Sequence, residues 1–332
     1  METALTIILF IVGLLLLIKG GDWFVDGSVR IAQRFHIPEL LIGSTIVAIG
    51  TTLPEVMVSS LSAIRGQSAT AYGNAIGSVI CNAALIAALT IAIRPSSVDR
   101  SSYRTSVVFF FGAAAFYIGI SYFGNFTRWT GIVLLALFLV YMAVSVRSAV
   151  KDSSAKQSDP PDEAEVDPQP EGKLWKDILL LVIGAAAIGG GAYLLVNYGK
   201  ELALWMGVPE TVVAITFIAL GTSLPELATA VIALIKGHSA LSLGNIIGAN
   251  LFNLVLVSGA AITISPFNIS DATALEAKTV FGRPSSQLVE IPLMMICMLI
   301  LTVPTLWKGK TYRWQGVLLL LLYAGFCVYQ FI

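Results

Sequence analysis

The hexapeptide Gly-Thr-Thr-Leu-Pro-Glu at residues 50–55 decides the fold, because a near copy, Gly-Thr-Ser-Leu-Pro-Glu, recurs at residues 221–226. Around the two copies, residues 38–85 align with residues 209–256 without a gap at a constant offset (226 − 55 = 171), and about 19 of the 48 aligned positions are identical. Both segments also contain Gly-Asn-x-Ile-Gly and a closing asparagine. The chain is therefore an internal duplication, and the polar residues found in both copies are the first candidates for a functional site.

The composition predicts an integral membrane protein. Of the 332 residues, 56% are hydrophobic and 12% are charged, and the mean hydropathy is +0.84. An average soluble domain is about 25% charged, so this chain has too few charges to cover a water-exposed surface. The 20 Lys and Arg residues are balanced by 20 Asp and Glu residues. That balance excludes a basic nucleic-acid binder, and the hydropathy excludes a large water-soluble enzyme.

Ten apolar segments are long enough to cross a bilayer, at about 20 residues per crossing. The predicted fold is an all-α polytopic membrane protein whose ten transmembrane helices form two five-helix repeats with broken helices at the midplane. Because five is odd, the two repeats enter the membrane from opposite sides, which is the inverted-repeat plan of secondary transporters with a substrate site at the midplane. The predicted spans are residues 3–26, 39–64, 71–93, 104–123, 127–147, 174–198, 208–235, 241–264, 288–306 and 314–332.

Polar segments divide the chain. Residues 151–173 are rich in Ser, Pro, Asp and Glu, a composition typical of a linker. They separate a first repeat at 1–150, with its motif at 38–85, from a second repeat at 174–332, with its motif at 209–256. A further polar insertion, residues 268–287, separates spans eight and nine.

Lys and Arg predict the orientation, because the cytoplasmic loops of membrane proteins carry an excess of both. With the N-terminus outside, fourteen of the 20 fall in cytoplasmic loops, five fall in outside loops, and Lys19 lies within the first span. Both termini are therefore predicted outside and the linker at 151–173 in the cytoplasm.

Glu55 and Glu226 lie deep in apolar spans, where an ionised carboxylate without a partner costs several kcal/mol. Neither span contains a Lys, Arg or His that could supply the partner. A bound cation is the simplest missing partner, and the alternative is a protonated carboxylic acid that is hydrogen-bonded in the core. Two glutamates at equivalent repeat positions favour the cation.

Pro54 and Pro225 precede the two glutamates, and a proline inside a helix displaces the backbone carbonyl four residues before it. In a bilayer such a carbonyl needs another partner. For one copy alone, an ordinary proline kink is the preferred interpretation. The oxygen donors in these turns are the carbonyls of Ala48, Gly50, Thr51, Ala219, Gly221 and Thr222 and the hydroxyls of Thr51, Thr52, Thr222 and Ser223.

Spans three and eight supply the opposite side of the predicted site. Ser78 and Asn82 share a helix face because they are four residues apart, and the matching positions in the second repeat are Ala249 and Asn253. Together with the glutamates these residues offer hard oxygen donors, which suit Ca²⁺ or Na⁺ better than copper or zinc. One divalent or two monovalent cations would neutralise the two carboxylates, so both kinds of ion can compete for the same oxygens.

The paired hexapeptides, each followed by Gly-Asn-x-x-Gly at 73–77 and 244–248, resemble the alpha repeats of the sodium/calcium exchanger family in the cation/calcium antiporter superfamily. The resemblance covers essentially the whole chain, and the short linker is typical of prokaryotic members. It implies Na⁺/Ca²⁺ antiport by alternating access in the inner membrane, with no enzymatic activity. It also implies no cofactor besides the transported ions, no nucleic-acid partner and no obligatory protein partner.

The same resemblance implies roles for individual residues. Glu55 and Glu226 are expected to be the main Ca²⁺ ligands, helped by the backbone carbonyls of Thr51 and Thr222. Spans one and six, with glycines at 20–21 and 189–191, are expected to be sliding gate helices. The flanking Na⁺ sites are expected to use the carbonyls of Ala48 and Ala219, the hydroxyls of Thr51, Thr52, Thr222, Ser223 and Ser78, and the central pair Asn82 and Asn253.

Two positions depart from the family pattern. Ala249 stands where the family usually has serine, which removes a hydroxyl from one Na⁺ site and argues against the usual exchange stoichiometry. Asn253 stands where potassium-dependent and some archaeal members have aspartate. A neutral amide compensates the charge of a K⁺ ion less than a carboxylate does. Asn253 therefore argues against K⁺ co-transport.

Three alternatives remain open. An exchanger of H⁺ for Ca²⁺ or another divalent cation could use the same scaffold, with Glu55 or Glu226 taking the proton when Ca²⁺ leaves. A passive cation channel also uses carboxylates, but it needs a continuous pore and has no use for inverted broken helices. An intramembrane enzyme has the least support, because the spans contain no paired-histidine metal motif and no Ser-His couple, and His36 and His238 fall in predicted loops.

Overall fold

The described residues form ten helices in a computed structural model, which covers residues 2–123, 125–158, 173–207, 221–268, 279–280, 283–284 and 286–331. The predicted all-α fold of two inverted five-helix repeats is confirmed. The first repeat contains α1 (Glu2–Arg34), α2 (Glu39–Ile64), α3 (68–93), α4 (Arg100–Phe123) and α5 (Arg128–Ser158). The second repeat contains α6 (Leu174–Trp205), α7 (Leu224–Ile235), α8 (Ser239–Ile264), α9 (Ser286–Lys308) and α10 (Arg313–Phe331).

Eight of these helices are long and apolar enough to cross a membrane, as expected for an integral membrane protein. The other two are α10, with 19 residues, and the shorter α7. Residues 208–220 of the predicted seventh span lie outside the described part of the chain.

Several helices run past the predicted edges of their spans. A helix ends where the backbone leaves the helical region, not where the apolar stretch ends, so α1 continues to Arg34 and α6 to Trp205. α1 stops just before His36, which has a positive φ of 53°, and α6 stops just before Gly207, with a φ of 81°. The helix α5 extends to Ser158, so the first part of the predicted linker is helical, and residues 159–172 of that linker lie outside the described chain.

α1 and α6 pack against each other backbone to backbone at glycines. A Cβ atom on Gly184 would lie 2.5 Å from the Phe24 backbone nitrogen, so only glycine allows this approach. Of the glycines predicted in the gate helices, Gly20 and Gly191 lie in this contact, and Gly21 faces Ile232 of α7. A Cβ on Gly189 or Gly190 would have no neighbouring atom within 4 Å.

The centre of the molecule is built from α2, α3, α7 and α8. Every residue from 241 to 252 in α8 is buried. Gly248 permits close contact with α2, because a Cβ there would lie 2.6 Å from the Ser44 Cα. π-helical turns, which are frequent at functional sites, interrupt three helices and begin a fourth. These turns are Gly43–Val47 in α2, Asn82–Ala87 in α3, Asn253–Val257 in α8 and Ser286–Glu290 in α9.

Short strands complete the described structure. β1 (Asn125–Phe126) pairs antiparallel with β2 (Phe267–Asn268), and this pairing joins the two repeats. Asn125 lies opposite Asn268, and Phe126 lies opposite Phe267. β3 (Thr279–Val280) pairs antiparallel with β4 (Arg283–Pro284) inside the predicted polar insertion.

Candidate cation site

The two glutamates predicted as ligands are both buried, with 0% of either residue exposed. Glu55 follows Pro54 within α2, which continues through the proline as a helix. Glu226 follows Pro225 in the first turn of α7, where the helix dipole favours a negative charge. The helices that carry the two glutamates, α2 and α7, pack against each other.

No ion pair reaches either glutamate within the described part of the chain. The described ion pairs join other groups, such as Arg34 with Asp177 and Lys236 with Asp26. Two ionised carboxylates in this position thus have no positive partner in the part of the chain that the structure describes.

Hydroxyl groups of one repeat face the glutamate of the other. Thr52 Oγ1 donates to Glu226 Oε1 at 3.4 Å. The Thr222 hydroxyl lies beside the Glu55 carboxylate but outside hydrogen-bond geometry. Both oxygens of Glu55 and Oε2 of Glu226 thus have no hydrogen-bond partner among the described residues. Buried carboxylate oxygens without donors are well suited to ligate a cation.

Asn82 and Asn253 are fully buried at equivalent positions of the two repeats. Neither the amide nitrogen nor the amide oxygen of either residue has a partner among the residues described. Each asparagine is the first residue of a π-helical turn. The spacing of the motif predicted the pair but not the π turns, which depend on how α3 and α8 pack.

The other predicted ligands contribute oxygens around these groups. Thr51 Oγ1 lies 3.4 Å from the Ala48 carbonyl oxygen. Ser78 is 3% exposed, and the buried Ser223 hydroxyl has no partner in the described chain. Ala219 lies outside the described residues.

Two further polar residues, Asn74 and Asn245, were missed by the sequence reasoning. Asn245 Oδ1 accepts a hydrogen bond from Thr51 Oγ1 at 3.1 Å, and Asn74 Oδ1 accepts one from Thr222 Oγ1 at 3.2 Å. The signal was present, because both are the asparagine of the repeated Gly-Asn-x-Ile-Gly. What the sequence did not reveal is that each asparagine contacts the opposite repeat.

The combined set consists of carboxylate, hydroxyl, amide and carbonyl oxygens in a buried space, and hard cations such as Ca²⁺ and Na⁺ prefer such donors. The described residues contain no group of three or more His, Cys, Asp or Glu side chains that could hold a metal ion.

Comparison with known families identifies the chain. A family model described as "Sodium/calcium exchanger protein" matches residues 5–147 and 176–332. The chain belongs to the sodium/calcium exchanger family. Membership confirms the resemblance inferred from the repeated hexapeptides, including its prokaryotic type.

Two relatives and a solved structure cover between 79% and 98% of this exchanger-family chain. The inner membrane protein YrbG of Escherichia coli (strain K12) is 35% identical over 79% of this chain and 80% of its own. The sodium/calcium exchanger MaX1 of Methanosarcina acetivorans is 29% identical over 98% of both chains. A structure of the sodium-calcium exchanger NCX_Mj soaked with 10 mM Na⁺ is 31% identical over 97% of both chains, with a TM-score of 0.76.

Membership of this family assigns the chain to a general class of function. The sodium/calcium exchanger family consists of transporters that exchange cations for Ca²⁺ across membranes, and its members are not enzymes. This exchanger-family chain is accordingly an integral membrane protein for cation/Ca²⁺ antiport.

Proposed function

We propose that this exchanger couples the movement of Na⁺ to movement of Ca²⁺ in the opposite direction by alternating access. The observation that carries the proposal is the pair of buried glutamates, Glu55 and Glu226, whose carboxylates have three oxygens without a partner among the described residues. Neutralising both carboxylates takes one divalent or two monovalent cations. Ca²⁺ and Na⁺ therefore exclude each other from the same oxygens, and mutual exclusion is what exchange requires.

In this proposal Ca²⁺ and Na⁺ compete for the charge of Glu55 and Glu226, and each ion has its own neutral ligands around these carboxylates. Ca²⁺ binds the carboxylates of Glu55 and Glu226 together with the backbone carbonyls of Thr51 and Thr222. Neutral oxygens suit the monovalent ion because they ligate without adding charge. The Na⁺ ligands are the carbonyls of Ala48 and Ala219, the hydroxyls of Thr51, Thr52, Thr222, Ser223 and Ser78, and the amides of Asn82 and Asn253.

The cost of an unloaded site supports tight coupling. Two ionised carboxylates sealed from water without a cation cost several kcal/mol, whereas the loaded site is neutral. The change between outward-open and inward-open forms therefore proceeds with cations bound. Movement of the ion-free protein is slow by comparison, which prevents a leak of one ion without the other.

Contacts between α1, α6 and the repeated hexapeptides link site occupancy to helix movement. The Phe24 ring of α1 packs on Gly50, where a Cβ would lie 2.8 Å from Phe24 Cζ. Val196 of α6 packs on Gly221 in the same way, where a Cβ would lie 2.8 Å from Val196 Cγ2. Each glycine is the first residue of its hexapeptide. We assign α1 and α6 as the helices whose sliding opens the site to one side or the other.

The proposed location is the inner membrane, with both termini outside and the linker at 151–173 in the cytoplasm. The excess of Lys and Arg in the loops on one side supports this orientation. The inner-membrane designation of the Escherichia coli relative supports the location.

Exchange of H⁺ for Ca²⁺ is the second candidate. Ala249 is fully buried and brings no side-chain oxygen to a position proposed to ligate Na⁺. The unpartnered oxygens of Glu55 could also take a proton when Ca²⁺ leaves.

Transport in liposomes separates the two candidates. Vesicles containing the purified protein and loaded with Na⁺ are diluted into Na⁺-free buffer with radioactive Ca²⁺, at equal pH on both sides. The Na⁺ gradient is expected to drive Ca²⁺ uptake, and added K⁺ is expected to leave the rate unchanged. If the Na⁺ gradient has no effect and an imposed pH gradient drives uptake, Na⁺ coupling is wrong and H⁺ is the coupling ion.

A further inference from the structure

Two hydrogen bonds cross between the repeats beside the site. Thr51 of the first repeat donates its hydroxyl proton to Asn245 Oδ1 of the second repeat at 3.1 Å. Thr222 of the second repeat donates to Asn74 Oδ1 of the first repeat at 3.2 Å. The four residues form two equivalent pairs, because Thr51 corresponds to Thr222 and Asn74 corresponds to Asn245 at the same offset of 171 positions (222 − 51 and 245 − 74). Each repeat therefore donates the same threonine hydrogen bond to the other repeat.

The direction of these bonds matters for a hydroxyl ligand. A hydroxyl oxygen that binds a cation presents its lone pairs to the ion, so its proton has to point away toward an acceptor. The amide oxygens of Asn245 and Asn74 are such acceptors, and neither bond consumes a lone pair of the threonine. With the proton held on the amide, the lone pairs of Thr51 and Thr222 stay free for a cation.

The two asparagines are held differently. Asn74 Nδ2 donates to Ser59 Oγ at 2.8 Å and to the Glu55 carbonyl at 3.3 Å, so the amide orientation is set by its own repeat. In the second repeat, Ala230 occupies the position of Ser59 and offers no hydroxyl. Asn245 Nδ2 accordingly has no partner among the described residues. The Thr222 side of the site is therefore more firmly oriented than the Thr51 side.

We propose that Asn74 and Asn245 are positioning residues that orient the threonine hydroxyls of the opposite repeat toward the transported cation. The proposal rests on the proposed cation site, because it assigns the asparagines a role that acts through Thr51 and Thr222. It makes each half of the site depend on the other half of the chain. Loss of either asparagine is expected to lower the apparent cation affinity, since the freed hydroxyl can turn its proton toward the ion.

Double-mutant cycles test this pairing. Asn245→Ala alone is expected to weaken the apparent affinity for Na⁺ about three- to tenfold, with a smaller effect on the maximal rate. In a Thr51→Val background the same substitution is expected to have no further effect, because the hydroxyl it orients is gone. In a Thr222→Val background its effect is expected to persist in full. Thr51→Ser, which keeps the hydroxyl, is expected to preserve the coupling to Asn245.

The mirror cycle exchanges the partners, so that Asn74→Ala loses its effect with Thr222→Val but not with Thr51→Val. Thermal unfolding in detergent with and without Na⁺ provides a second readout that does not depend on transport, because bound cation raises the unfolding temperature. Equal effects of Asn245→Ala in the wild type, in Thr51→Val and in Thr222→Val would overturn the positioning role. Asn245 would then contribute only to packing. A wild-type protein that neither exchanges Ca²⁺ nor is stabilised by it would instead refute the proposed function itself.

Discussion

Substitution of Glu55 is the best test of whether this residue binds the transported cation or only supports the fold. Glu55→Gln keeps the size of the side chain and removes its charge, so Ca²⁺ uptake in liposomes is expected to fall at least about 100-fold. The ion-free variant is expected to unfold at a higher temperature than the wild type, because a buried uncompensated charge destabilises the fold. The Ca²⁺-dependent rise in unfolding temperature is expected to vanish.

The control for this substitution is Glu201→Gln, which removes a carboxylate from the exposed hydrogen bond with Thr6 at the end of α6. It is expected to change neither uptake nor the response to Ca²⁺. Full Ca²⁺ transport by the Glu55→Gln variant would contradict every version of the site described above.

Ala249 is the second residue with a direct test. It is fully buried in α8 at the position that corresponds to Ser78. Ala249→Ser supplies the missing hydroxyl and is expected to raise the apparent Na⁺ affinity in vesicle exchange by about three- to tenfold, the worth of one added polar ligand. Ser78→Ala is the matched variant and is expected to lower that affinity. No change with Ala249→Ser would mean that a hydroxyl at this position is dispensable.

At the scale of helices, the contact between α1 and α6 depends on particular glycines. A Cβ at Gly184 would meet the Phe24 backbone, whereas a Cβ at Gly189, on the same helix, would meet nothing within 4 Å. Gly184→Ala is therefore expected to destabilise the packed pair by about 1–3 kcal/mol and to slow transport. Gly189→Ala is expected to be tolerated or slightly stabilising, because alanine is the better helix former. Similar unfolding temperatures for the two variants would show that α1 and α6 do not need this close approach.

The junction between α2 and α8 contains a pH-sensitive pair. His238 Nδ1 lies 2.7 Å from Glu39 Oε1, and this hydrogen bond, aided by Asp26 and opposed by burial and Lys236, raises the pKa of His238. Because the pKa of His238 is raised in the folded state, the pair stabilises the protein. This stabilisation is fully present when the pH is below the pKa of the unfolded chain, about 6.5. That contribution is lost as the pH rises through the raised pKa of His238.

The measurement is the unfolding temperature in detergent as a function of pH, taken as the difference between wild type and His238→Gln. Glutamine is the residue that the first repeat has at the equivalent position, Gln67. The wild type is expected to lose stability relative to the variant as the pH rises from about 6 to 8. A difference that is independent of pH would show that the pair does not couple protonation to folding.

Across the whole molecule, different kinds of contact join the helices at the two ends. The end that carries Arg34, Lys236 and His238 is joined by ion pairs, including Arg34 with the buried Asp177 at 2.8 Å. At the opposite end of the gate helices, α1 and α6 are joined by the hydrogen bond of Thr6 with Glu201 at 3.0 Å. The orientation predicted from loop charges places the ion-paired end in the cytoplasm.

Cysteine labelling tests this orientation. The native Cys81, Cys297 and Cys327 are first replaced by alanine, and single cysteines are then introduced at Ser153 in the linker or at Gln67 in the loop after α2. A membrane-impermeant thiol reagent added to intact cells is expected to label the Gln67→Cys variant only. In inside-out vesicles it is expected to label only Ser153→Cys. The reverse pattern would place both termini in the cytoplasm.

Much of the fold and of the candidate site was predictable from the sequence, because both rest on local patterns. Bilayer thickness sets the length of an apolar span, so ten spans could be counted directly. Glu55 and Glu226 stood out because charges are rare in such spans. The helices α1 and α6 run beyond their predicted spans, since His36 and Gly207 stop the helices by backbone conformation and not by polarity. Asn74 and Asn245 were not predicted as functional residues, because the glycine-rich motif that contains them is also typical of close helix packing.

By itself the sequence determined the number of spans, the inverted duplication, the family and the set of polar residues repeated in both halves. These properties follow from the hydropathy of the chain, from the odd number of spans in each repeat and from the identity of the residues. Only the tertiary structure decided which residue faces which: that Thr51 pairs with Asn245, that Phe24 packs on Gly50, and that the oxygens of Glu55 have no donor among the described residues. The physical reason is that contacts between residues so far apart in the chain depend on how helices pack, and no local pattern encodes that packing.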